Sequence, residues 1–120
     1  MRLAGADGSR STVRKLLSIQ FEGFTWPKME FVDTNIVYPF SKFGYSSGSF
    51  FIHPVDWTVV AAIDDSQQLW RISYGTRPGM TLDEIMDQIP KRVESILPDA
   101  SIKCDLIQFS PYRVHQQCAA

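Results

Sequence analysis

The sequence predicts an α+β fold: a mostly antiparallel sheet covered on one face by a helix, preceded by an orphan strand-helix unit. Three observations carry that prediction. The stretch "EFVDTNIVYPF" alternates with period two, and "DWTVVAAI" and "LWRISY" flank the short turn "DDSQ" as a hairpin does. A helix with a capping box begins at Thr81. The opening stretch "LAGADGSRSTVRKLL" reads as strand, turn and basic helix start, an arrangement that belongs to a different architecture from the rest.

The elements follow in order. A short strand is predicted over about 2–6, then a turn at Asp7-Gly8, then a helix from about Thr12 to Leu17 with Ser11 as N-cap. Its strand has no neighbour in the chain to pair with. That exposed edge predicts fast amide exchange through the first 17 residues. Residues 18–30 show no clean period and hold Gly23 and Pro27, the marks of a connecting segment. From Glu30 the alternation puts Val32, Thr34, Ile36 and Tyr38 on one face and Phe31, Asp33, Asn35 and Val37 on the other. Pro39 stops that strand or places it at an edge. "SKFGYSSGS" is a loop and "FFIHP" a short strand, ahead of the hairpin. In the helix from Thr81, Leu82, Ile85, Met86, Ile89 and Val93 form an apolar stripe. Pro90 predicts a kink or a restart, and Pro98 the end. "SIKCDLIQF" is a last strand that "YRVHQQCA" extends.

Bulk properties narrow the function. At 120 residues the chain forms one small domain, burying roughly two-thirds of the surface its extended form exposes. No apolar run approaches the ~20 residues of a membrane span, and no export signal precedes the first turn, so the cytosol is the default compartment. Cys104 and Cys118 are then reduced thiols, and with His53 and His115 they match no zinc spacing. A net charge of -1 gives no general attraction to nucleic acid or an anionic membrane. The charge is uneven, however. Residues 1–15 set Arg2, Arg10, Arg14 and Lys15 against Asp7, a local +3 in a chain otherwise at -4.

That cationic patch coincides with the one motif that points to chemistry. Gly5, Asp7, Gly8, Ser11 and Arg14 stand where a strand enters a helix. Glycines let a backbone approach phosphate, helix-start amides favour anionic oxygen, and Arg14 adds a cation. An Asp-Gly pair by itself is nearly always just a turn; the longer pattern is more specific. No Ser-His-Asp or Cys-His arrangement follows from spacing, so no catalytic residue and no metal ligand is assigned. His53 reads as a turn residue, His115 as solvated, and Asp64-Asp65 as a hairpin tip.

The whole chain resembles the single-component FAD-dependent aromatic hydroxylases, the group of phenol 2-monooxygenase and 4-hydroxybenzoate hydroxylase. "GADGSRSTVRKLL" is similar to that family's Asp-Gly motif, and "FEGFTWP", "VYPF", "HPVDW", "LWRISYG" and "SPYRVHQQCA" follow in the family's order. The family's opening GxGxxG turn and its later Gly-Asp-Ala-Ala-His segment do not occur. The resemblance implies residues 1–17 as a remnant of the FAD-binding domain and 18–120 as the substrate-binding domain. It implies FAD as cofactor with NAD(P)H as electron donor, held in part by Gly5, Asp7, Gly8, Ser11 and Arg14. It also implies a substrate pocket at Phe50, Ala61, Ile63 and Trp70, although Trp57, Val59, Ala61 and Ile63 read equally as core beneath the helix.

Eleven of the fifteen aromatic residues lie between Phe21 and Trp57, on segments that would roof such a pocket. Family members that grip an aromatic carboxylate carry a cation on the first hairpin strand, and "WTVVAAI" has none. A neutral phenol or a larger hydrophobic aromatic is therefore the expected substrate. The expected function is that of a piece of a flavin monooxygenase, inactive alone, with the missing flavin-binding portion as a possible partner. The alternatives are a non-catalytic ligand-binding or interaction module pairing with another chain, and a functionless truncated product.

Overall fold

The computed structural model describes residues 2–120, with the backbone alone for Pro27, Lys28 and Met29. In chain order the elements are α1 (Thr12–Leu16), β1 (Phe21–Val37), β2 (Gly48–Phe51), β3 (Thr58–Asp64), β4 (Leu69–Thr76), α2 (Leu82–Glu94) and β5 (Asp105–Ala119). The strands form one sheet in the order β2-β3-β4-β1-β5, and the β2-β3, β3-β4 and β4-β1 pairs are antiparallel. The α+β class predicted from the sequence is the class observed. By compactness the chain divides into two units, Met1–Trp26 with Val114–Ala120, and Pro27–Arg113.

In the first unit, two expectations are corrected. Residues 2–6 form no strand. An extended segment becomes a strand only when a neighbour takes its amides and carbonyls, and none does so here. The exposed edge predicted for them therefore does not arise. Residues 18–30 are not a connector, since β1 already begins at Phe21. The turn signal at Gly23 has another cause: a Cβ there would collide with the Gln116 carbonyl and stand 2.6 Å from Gln117 Cα. A bare backbone lets β5 come that close. The Ala120 amide closes the pairing by donating to the Gln20 carbonyl at 3.0 Å.

In the second unit, alternation decides the core. Val32, Thr34 and Ile36 of β1, Val60 of β3 and Trp70, Ile72 and Tyr74 of β4 are buried together with Ile85, Ile89 and Val93 of α2. Thr34 is tolerated there because its hydroxyl donates to the Ile72 carbonyl at 3.1 Å. The Tyr38 hydroxyl donates to the Asp99 carbonyl at 2.8 Å and accepts the Asp99 amide at 3.1 Å, which ties down the segment after α2. The β3-β4 hairpin turns through a 3-10 turn at Asp65–Gln67, and a register shift falls between Ala62 and Asp64.

The capping box forms as predicted: the Thr81 amide donates to Glu84 Oε2 at 2.7 Å and the Glu84 amide to Thr81 Oγ1 at 3.3 Å. The predicted stripe is narrower than five residues, because Leu82 and Met86 remain exposed. Neither a restart at Pro90 nor an end at Pro98 occurs: α2 runs through Pro90 and stops at Glu94, with Ser95 as its cap. Proline removes one backbone bond, yet Ile89 and Val93 anchor the helix to the sheet on both sides of it. Ile89→Ala, at a site 2% exposed, is expected to lower unfolding free energy by about 2–5 kcal/mol in denaturant titration. Met86→Ala, at a site 46% exposed, is expected to change it by less than about 1 kcal/mol.

Candidate functional site

In the first unit, the Gly5–Arg14 turn is held by its own polar groups. Asp7 Oδ2 accepts the Thr12 amide at 2.7 Å and the Val13 amide at 3.2 Å, while Ser11 Oγ accepts the Arg14 amide at 3.0 Å. The Arg14 guanidinium donates to the Ser9 and Ile19 carbonyls, both at 3.2 Å, and its carbon lies 4.5 Å from the Phe21 ring centre. Gly8 adopts φ +76, a conformation that favours glycine. Gly5 leaves room for the helix, since a Cβ there would stand 2.9 Å from Val13 Cβ.

The amides that open α1 are thus bonded within the chain, and so is Arg14. Hydrogen bonds, that from the Ser11 hydroxyl foremost, hold the Asp7 carboxyl below the usual range. Arg10 stands apart from this network. With Ser9, Phe21, His115 and Gln117 it lines a cleft of about 380 Å³. His115 Nδ1 lies 2.7 Å from Thr25 Oγ1. The α1 amides are already bonded within the chain, and Arg10 puts a cation at the cleft, where a pyrophosphate-bearing cofactor would meet it.

In the second unit, the face of the sheet away from the core carries a polar cluster. Pairing across three strands puts Asp33, Asn35, Val59, Ala61, Arg71 and Ser73 on that side. Arg71 Nε donates to Asn35 Oδ1 at 3.0 Å and Arg71 Nη1 lies 3.7 Å from Asp33 Oδ2, while the Ser73 hydroxyl donates to Asp33 Oδ1. Aromatic rings border the cluster. Phe31 meets Trp57 at 4.9 Å and Tyr112 at 5.5 Å between ring centres, both edge-on. Burial first, and then the Asp33 carboxylate, push the Tyr112 hydroxyl above its ordinary pKa. Tyr112 is therefore a neutral donor at physiological pH.

The four residues expected to form a pocket are not all brought together. Phe50 pairs with Val59, and Ala61 with Gly48 and Arg71, so both belong to the polar-cluster face. Ile63 sits at the register shift and is exposed. Trp70 pairs with Ile36 and Ala62 on the opposite side, 1% exposed in the core. Sequence reasoning passed over Asp33, Arg71, Ser73 and Tyr112. The signal was present in "LWRISY", where Arg71 and Ser73 alternate with Trp70 and Ile72.

Among the described residues no His, Cys, Asp and Glu group is arranged to hold a metal, and no helix is long and apolar enough to cross a membrane. Cys104 and Cys118 are free thiols. Replacing Asp7 with alanine is expected to accelerate amide exchange at Thr12 and Val13 while leaving Ile72 in β4 protected. The same loss is expected in the native protein on acidification. The depressed pKa makes the carboxylate's contribution complete above the ordinary Asp value and removes it as pH falls through the folded-state value.

A family model described as FAD binding domain matches residues 3–120. Para-nitrophenol 4-monooxygenase of Pseudomonas sp. (strain WBC-3) is 42% identical over 120 residues, covering 98% of this chain and 29% of its own length. The 6-hydroxy-3-succinoylpyridine 3-monooxygenase of Pseudomonas putida (strain DSM 28022 / S16) is 34% identical over 116 residues, 96% of this chain and again 29% of its own. The crystal structure of p-nitrophenol 4-monooxygenase from Pseudomonas putida DLL-E4 superimposes with a TM-score of 0.83 at 42% identity, covering 95% of this chain and 29% of that one. The chain therefore spans about 29% of the length of the relatives it matches. With a match running from the turn at Gly5 through the whole sheet, this chain belongs to the FAD binding domain family.

Proposed function

We propose that this chain forms the substrate-facing sheet of a flavin-dependent monooxygenase that hydroxylates a phenolic ring with electrons from NAD(P)H. The observation that carries the reading is the Asp33-Arg71-Ser73 cluster bordered by Phe31, Trp57 and Tyr112, in a chain 42% identical to p-nitrophenol 4-monooxygenase. FAD, when bound, supplies the reduction and oxygen-transfer chemistry.

The residues of this chain bind and orient. The ring edges of Phe31, Trp57 and Tyr112 offer an apolar border to an aromatic ring. Arg71 and the Tyr112 hydroxyl donate to the ring's oxygen substituents, and Asp33, fixed by Ser73, holds Arg71 in place. Phe50 and Ala61 extend the same wall, while Trp70 supports β4 from beneath. On the nucleotide side, Gly5, Asp7, Gly8, Ser11 and Arg14 shape a turn that presents Arg10 to the pyrophosphate. The remaining grip on FAD comes from polypeptide beyond these residues, in the same protein or in a partner. Because Asp33 balances Arg71, the cluster has no excess positive charge, which favours a neutral phenol over a benzoate.

Grafting residues 3–120 in place of the matching segment of p-nitrophenol 4-monooxygenase tests this. The chimera is expected to hydroxylate p-nitrophenol. Arg71→Ala is expected to raise KM by about tenfold or more, the loss of one hydrogen bond from a charged donor. A preference for benzoates, or kinetics indifferent to Arg71, would refute the assignment. The second reading, a ligand-binding module without its own catalysis, is favoured by the internally bonded helix amides. It requires saturable phenol binding by the 120-residue chain with no FAD retained.

A further inference from the structure

We propose that Trp57, seated in the gap that Gly75 leaves in β4, sets the size limit of the phenol site and restricts it to single-ring phenols. The inference rests on the function proposed for the polar cluster and names the substrates that cluster admits. Every residue it uses lies in the Pro27–Arg113 unit.

The strand register arranges the cluster face in rows. Asn35 pairs with Arg71, Asp33 with Ser73, and Phe31 with Gly75. Successive rows are two residues apart along each strand, or roughly 7 Å. Arg71 reaches from its own row towards the next, with Nη1 3.7 Å from Asp33 Oδ2. The third row is made of rings: Phe31 meets Trp57 at 4.9 Å and Tyr112 at 5.5 Å between ring centres. Its gap is Gly75, which puts no side chain on that face.

Trp57 fills the gap. A Cβ at Gly75 would stand 3.0 Å from the indole Nε1, and 3.2 and 3.3 Å from its Cζ2 and Cε2. Gly75 is not among the glycines with positive φ, so its backbone conformation does not call for glycine. A glycine inside a strand then marks a close approach, and here the approaching group is the indole. Gly75 positions Trp57, and Trp57 meets the substrate.

A phenol whose oxygen is held by Arg71 has the Asp33-Ser73 row beneath it and the indole at its far end. The spacing of one row accommodates one ring, and a second ring attached at that far end collides with Trp57. Trp57 and Gly75 also line a cavity of about 470 Å³ beyond the end of β4. Removing the indole joins that space to the cluster face and makes room for the second ring.

The chimera carrying residues 3–120 tests the limit, with p-nitrophenol and p-phenylphenol as probes and equilibrium dialysis measuring Kd apart from turnover. The wild-type segment is expected to bind p-phenylphenol about tenfold or more weakly than p-nitrophenol. Trp57→Ala is expected to erase or reverse that preference, whereas loss of packing alone would weaken both phenols alike. Gly75→Ala keeps the indole but lifts it. It is expected to weaken p-nitrophenol several-fold, and to have no such effect once Trp57 is alanine. Three results would overturn the proposal: equal affinity for the two phenols in the wild-type segment, an unchanged ratio in Trp57→Ala, or a Gly75→Ala effect that persists without the indole. Any of these alongside Arg71-dependent p-nitrophenol binding removes the size limit and leaves the cluster assignment standing. Binding indifferent to Arg71 overturns both.

Discussion

A two-residue alternation through β1 and β4, and through β3 as far as Ala62, governs where the core and the polar cluster of the second unit stand. Val32, Thr34 and Ile36 point to the core, and Asp33 and Asn35 point away from it. A slip of one residue between β1 and β4 would carry Asp33 beneath α2, as a charge deprived of water. Burying an unpaired charge costs several kcal/mol, far more than any hairpin turn contributes. The register is thus set by what must remain wet as much as by what must be dry. The polar cluster exists because the core on the other face is so well defined.

The Gly5–Arg14 turn obeys a different constraint. A five-residue helix does not persist on propensity, since nucleation fixes several dihedrals for each bond gained. α1 survives because Asp7 and Ser11 take up its first amides and Arg14 bridges back to the Ser9 and Ile19 carbonyls. The same atoms that read as phosphate ligands are needed to build the loop. The motif's residues therefore have a structural use of their own, whatever they also do for a cofactor. The positive charge of the first fifteen residues remains, a field that would favour an anionic ligand before any bond forms.

The elements legible in the sequence were those fixed by local chemistry. The faces of β1, the hairpin and the Thr81-Glu84 box all follow from spacing and side-chain hydrogen bonds, and all formed. What escaped depended on distant partners. Gly23 reads as a breaker until β5 lies against it, more than ninety residues later in the chain. Pro90 reads as a helix break until Ile89 and Val93 are seen to anchor it. The site was half legible for the same reason. Phe50 and Ala61 share a face, but Trp70, one residue from Arg71, belongs to the other. An aromatic residue next to a pocket strand is a poor guide, whereas a charged residue alternating with core residues has few other places to go.

Under the proposed function, the Asp33-Arg71 pair connects that placement to substrate choice. Arg71 is about half exposed in the free protein, so its attraction to a carboxylate 3.7 Å away is weakened by water. An aromatic ring laid over the cluster displaces that water, and each charge then feels the other through a lower dielectric. In the proposed function, a neutral phenol would strengthen the pair by covering it and would add a hydrogen bond from Arg71 or Tyr112. A benzoate brings a second carboxylate to the same guanidinium and sets its charge against Asp33, with repulsion growing as the site dries. Discrimination on this reading comes from the anion already in place. It requires no change in the cation, and a charge count along the first hairpin strand alone does not reveal it.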